Sequence, residues 1–158
     1  MSTYQATVRW SRGADPFAGQ QYSRGHEWIF DGGVVVPASA SPHVVRAPWS
    51  VAAAVDPEEA FIASLSSCHM LFFLSFAAQD GYIVDAYDDP AAGTLARNAT
   101  GKEAMTRVVL RPKVTFSGDA PGEAEFAELH HRAHEACYIA NSVRCEVAVE
   151  PTLTTRSG

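Results

Sequence analysis

Asp56-Pro57-Glu58-Glu59, the apolar run from Ala60 to Ala78, and the closing Gln79-Asp80-Gly81 decide the fold. Asp56 is an N-cap whose carboxylate can accept a backbone N–H, and Pro57 suits the first helical position. Glu59 stands three residues after the cap, which gives a capping-box pattern with an aspartate. The acidic pair also suits the positive end of a helix dipole. The helix is expected to run to about Gln79 or Asp80, with Gly81 as its C-terminal cap. Apolar residues lie on nearly every side, so it is expected inside the fold. Ser64, Ser66, Ser67, His69 and Ser75 interrupt the run, which favours a buried core helix over a membrane span.

Outward from this helix the pattern changes to strands. Residues 3–10 alternate with period two, and Tyr22 to Phe30 reads as a second strand. Residues 31–55 hold Gly32, Gly33, Pro37, Pro42 and Pro48 and read as an ordered loop or a broken strand followed by a loop. After the helix, Tyr82–Tyr87, Gly93–Ala99 and Met105–Phe116 read as strands, with Pro112 marking a bulge or an edge. A second helix is expected from Pro121 to about Tyr138, with Phe126, Leu129, Ala133 and Ala136 near one face. Val143–Val149 closes the chain as a strand. Strands, long helix, strands, helix and strand make an α+β fold. The 158 residues suit one domain over 1–158, with no internal repeat.

Composition narrows the function classes. Hydrophobic residues at 47% can build one core, and a net charge of −6 excludes the basic footprint of a nucleic-acid binder. The start alternates like a strand and lacks the basic-then-apolar order of a signal peptide, so a cytoplasmic protein with no membrane role is expected. Three cysteines do not make a secreted disulfide framework. In a reducing compartment a cysteine pair is catalytic or metal-binding more often than structural.

Cys68 lies mid-helix in Ser66-Ser67-Cys68-His69-Met70, where it lacks the N-terminal dipole that lowers a thiol pKa. As a nucleophile it needs another activating group. Cys137 lies near the end of the second helix, and Cys145 alternates with Val143 and Val147 as a core strand residue. His130, His134 and Cys137 are spaced i, i+4, i+7 and share a helix face, a spacing that can serve zinc, with Cys68 and His69 as further ligands. A guanidinium near Cys68 would favour thiolate and orient a peroxide oxygen. Arg46, ahead of the long helix, and Arg24, in the second strand, can both supply it.

Three motifs together resemble the OsmC/Ohr superfamily of osmotically inducible and organic hydroperoxide resistance proteins. They are Asp56-Pro57-Glu58-Glu59, Ser67-Cys68-His69-Met70, and Ala133-His134-Glu135-x-Cys137-x-Ile139-x-Asn141-Ser142. The resemblance implies an OsmC-like fold with antiparallel sheets around a long buried central helix. It also implies an intertwined homodimer with active sites at the subunit interface. The implied activity is cysteine-based reduction of organic hydroperoxides. Cys68 stands where the family has its peroxidatic cysteine and Cys137 where it has its resolving cysteine. Glu58 matches a carboxylate that orients the catalytic arginine, for which Arg46 is the first choice and Arg24 the second. No metal or organic cofactor is implied, and a small dithiol or protein thiol would restore the pair. His69 stands where the Ohr branch has an aromatic residue, so the chain resembles an OsmC-like branch more closely. The alternatives are a non-peroxidatic binding or structural member of this fold, and a metal-binding protein built on the His130/His134/Cys137 helix. Glu58 and Cys68 are ten residues apart, about 15 Å along a straight helix. A shared site then requires a sharp bend or a second subunit.

Overall fold

The computed structural model describes residues 1–155, which divide into two compact units, one of residues 1–60 and one that begins at residue 61. The first unit carries an antiparallel sheet of β1 (Ala6–Arg9), β2 (His26–Phe30) and β3 (Val35–Ala38) in that order. The β2–β3 turn passes through Gly33 at φ +85°, a conformation that favours glycine. The expected long loop is ordered by its own backbone. Ser39 N–H donates to the Val55 carbonyl at 3.0 Å, and Val55 N–H donates to Pro37 at 3.0 Å. The Ser39 hydroxyl, fully buried, accepts the Val51 N–H at 3.0 Å. The second strand begins at His26, not Tyr22, because Trp10, Phe17 and Tyr22 gather into an aromatic cluster.

The long helix α1 spans Pro57–Gln79. Its cap forms as the sequence dictates: Glu59 N–H donates to Asp56 Oδ1 at 2.8 Å, and Asp56 N–H donates to Glu59 Oε2 at 3.0 Å. Gly81, at φ +86°, turns the chain out of the helix. Burial departs from the expectation of a helix enclosed on every side. Leu65, His69, Phe73 and Ala77, each four residues apart, form the buried stripe, while Leu71 is 61% exposed. The described residues cover one face of this apolar helix and leave much of the rest open.

In the second unit, β4 (Ile83–Asp88), β7 (Lys113–Ser117) and β9 (Thr152–Thr155) form one sheet, and β5 (Ala92–Arg97), β6 (Glu103–Leu110) and β8 (Glu146–Val149) form another. The expected single strand Met105–Phe116 is broken between β6 and β7 at Arg111-Pro112. Proline has no N–H to give a ladder, so the strand leaves one sheet and enters the next. Two more links carry a proline in the same way, Pro90 between β4 and β5 and Pro151 between β8 and β9. The β4–β7 and β5–β6 pairings are antiparallel, as expected, whereas β6–β8 and β7–β9 are parallel. The final strand β9 had no periodicity to announce it.

Helix α2 spans Glu123–Ala136 and buries Phe126, Leu129, His130 and Ala133. Phe73 and Ala77 of α1 pack with those apolar side chains and with Val114 and Phe116 of β7. Leu65 packs instead with Val108 and Leu110 of β6. The buried stripe of α1 thus touches both sheets and α2, which fixes the side chains beside it.

Candidate active site

Cys68 sits half-buried on α1, one residue before the buried His69. Cys137 is the residue that ends α2, with extended φ and ψ, and is 1% exposed. The two thiols are free, and Cys68 lies close enough to Cys137 to raise its pKa. Burial pushes the Cys137 thiol up to about 11, opposed by the Ala140 N–H and reinforced by nearby Cys68. The Ala140 N–H donates to Cys137 Sγ at 3.3 Å. Cys137 is therefore a neutral thiol at pH 7, able to donate its proton to Cys68.

The residues after Cys137 explain their own pattern. The last carbonyls of a helix lack intrahelical partners. Asn141 Nδ2 donates to the Glu135 and Cys137 carbonyls at 2.9 and 3.0 Å. Ser142 Oγ donates to the Tyr138 carbonyl at 2.7 Å. This wrapping satisfies the last carbonyls of α2 and ends the helix at Cys137. Phe72, one turn beyond Cys68, meets Tyr138 edge to face with ring centres 5.0 Å apart, placing an aromatic pair beside the thiols. Cys145 packs with the Leu65, Val108 and Leu110 cluster, and burial raises its pKa.

Two partnerships had no distinct signal in the sequence. Ser66 Oγ donates to Asp89 Oδ2, and Asp89 Oδ1 accepts the Arg111 N–H at 2.6 Å. Asp89 therefore ties α1, two residues before Cys68, to the bend between β6 and β7. His69 Nε2 and His130 Nδ1 are 2.9 Å apart in the core. His69 stays largely neutral, its pKa lowered to about 4 by burial and by nearby His134. His130 is lowered to about 3 by burial and by His69. His130 thus turns inward instead of joining His134 and Cys137 in a ligand set. Among the described residues no group of three or more His, Cys, Asp or Glu side chains is arranged to hold a metal.

The arginine candidates differ sharply. Arg24 is engaged within its own segment. Its guanidinium lies 3.8 Å over the Tyr22 ring and donates to the Gln20 and Tyr22 carbonyls at 2.8 and 2.6 Å and to Gln20 Oε1 at 2.7 Å. Arg46 lies exposed in the loop before α1, and its side chain has no ion pair or hydrogen bond among the described residues. Glu58 is half-buried in the first turn of α1, and no ion pair joins it to Arg46.

The OsmC-like protein family matches residues 51–152, which include α1, α2 and both cysteines. The chain belongs to the OsmC-like family. It is 55% identical to an OsmC-like protein of unknown function from Vibrio cholerae, over 96% of this chain and 99% of that one, with a TM-score of 0.94. An organic hydroperoxide resistance protein from Elizabethkingia anophelis shares the fold at 16% identity and TM-score 0.71, over 99% of this chain and 98% of that one. The organic hydroperoxide resistance protein OhrB of Bacillus subtilis does so at 19% identity and TM-score 0.62, over 97% and 98%. No curated protein matches the chain. The α+β, OsmC-like expectation therefore holds for this OsmC-like protein. Helix α1 is long and apolar enough to cross a membrane by composition, yet its stripe from Leu65 to Ala77 belongs to the cores of this fold.

Proposed function

We propose that this OsmC-like protein is a thiol-dependent peroxidase acting on organic hydroperoxides. The observation that carries the reading is the nearness of a half-buried Cys68 to a buried, neutral Cys137, whose pKa it helps to raise. In the first step the Cys68 thiolate attacks the peroxide oxygen, the O–O bond breaks, and the alkoxide takes a proton to leave as an alcohol. Cys68 is then a sulfenic acid. Cys137 attacks that sulfur in turn, and its proton leaves with the hydroxyl as water, giving a Cys68–Cys137 disulfide. A small dithiol or a protein thiol then restores both cysteines by exchange and is itself oxidised. Such exchange suits a reducing, cytoplasmic setting.

Arg46 is the activating cation in this reading, with Glu58 orienting it through paired hydrogen bonds. Its free guanidinium favours it over Arg24, whose donors are engaged by Gln20 and Tyr22. Helix α1 is continuous from Pro57 to Gln79, which removes the sharp bend as a way to unite Glu58 with Cys68. A homodimer, in which one subunit supplies Arg46 and Glu58 and its partner the two thiols, meets the requirement. The open apolar faces of α1 favour the same assembly.

Peroxide consumption with a dithiol reductant tests the reading. Cys68→Ser abolishes turnover, and Cys145→Ser keeps most of it. Equal loss in both variants would remove the assignment.

A further inference from the structure

The His69–His130 pair is not used by the proposed chemistry, although it lies beside it. The rings are parallel to within 5°, and their centres are 5.3 Å apart. That separation exceeds the 2.9 Å Nε2···Nδ1 distance by roughly the width of one ring. The rings therefore meet edge to edge, and one hydrogen bond lies near both ring planes. The outward nitrogens, His69 Nδ1 and His130 Nε2, are buried without a partner. Phe73 and Phe126 close around His130 with ring centres at 4.3 and 4.7 Å.

This arrangement is costly compared with two apolar side chains of similar shape, because orphaned buried polar atoms are unfavourable. It does not conduct protons through the core, since its inner end stops against Phe73 and Phe126. What it supplies, and apolar packing does not, is direction. His69 follows Cys68 on α1, and His130 lies two turns before Cys137 on α2. A slip of one helical turn moves a side chain about 5.4 Å, far enough to part the sulfurs, while a hydrogen bond tolerates only a few tenths of an ångström.

We propose that His69 and His130 are positioning residues, whose single in-line hydrogen bond fixes the register of α1 against α2 and so holds Cys137 in reach of Cys68. The inference rests on the reading that these two cysteines form a disulfide. It makes a separate statement about the rings themselves. If His69 Nε2 donates, His130 accepts at Nδ1 and is protonated at Nε2. If His130 Nδ1 donates, His69 accepts at Nε2 and is protonated at Nδ1. Both neutral rings therefore carry the same tautomer in either case.

The test equilibrates the full chain with oxidised and reduced dithiothreitol and measures the Cys68–Cys137 disulfide constant. His69→Phe is expected to lower it at least tenfold. His69→Gln, which keeps a donor toward His130, is expected to stay within threefold of the parent protein. The double variant His69→Phe/His130→Phe regains thermal stability but not the disulfide constant. A double variant with the parent constant, or a glutamine variant as poor as or less foldable than the phenylalanine one, would overturn the positioning role. A parent protein that forms no Cys68–Cys137 disulfide would instead overturn the peroxidase reading. In that case 15N spectra of the reduced protein still decide the seam: matching tautomers support it, and opposite tautomers refute it.

Discussion

Acid should weaken this protein through its buried histidines. The perturbation is a fall in pH from 7 toward 4. In the folded chain the pKa of His69 is lowered from 6.5 to about 4 and that of His130 from 6.5 to about 3, mainly by burial. The folded values lie below the unfolded ones, so the unfolded chain binds more protons in this window. Stability is complete above about pH 6.5 and falls as pH drops toward the folded values. Each histidine contributes a slope of about 1.4 kcal/mol per pH unit, so the gap at His69 alone is worth about 3 kcal/mol. The two gaps do not simply add, because the rings share one bond and disfavour each other's charge. A loss of about 3 kcal/mol is a large part of the roughly 5–15 kcal/mol that holds a domain together. The assay is urea unfolding at several pH values for the parent protein and for His69→Phe/His130→Phe. Carboxylates titrate in both and cancel in the comparison. The parent is expected to lose stability toward pH 4 faster than the variant by about that amount. Parallel pH dependence would refute the reasoning.

Arg46→Ala is expected to slow the peroxide step by more than tenfold, while Arg24→Ala changes it little. Stopped-flow consumption of peroxide by the reduced variants separates the two, and the reverse order would exchange their roles. Light scattering at micromolar concentration is expected to give a homodimer. A monomer would contradict a site shared between subunits.

Much of this fold was legible because its strongest local signals agree with its packing. The Asp56–Glu59 box starts α1 where the sequence places it, and Gly81 ends the segment. Pro112 was visible as an irregularity, but sequence alone does not say that a strand would change sheets there. Thr152–Thr155 was missed because four residues are too few to establish a period. The burial of α1 was overstated, since composition reports how apolar a helix is and not how much of it the rest of the chain covers. At the site, Cys68 and Cys137 were pointed out by motif, and their nearness depends on packing between α1 and the end of α2. His69 and His130 were both read as possible metal ligands. Their pairing needed the positions of two helices, 61 residues apart in the chain, which no spacing rule contains.

The most direct test is to treat the fully reduced protein with one equivalent of cumene hydroperoxide and map its peptides without reduction. The account predicts one alcohol formed per chain and a Cys68–Cys137 disulfide within that chain. Unconsumed peroxide with all three thiols free, or Cys145 as the main partner of Cys68, would contradict it.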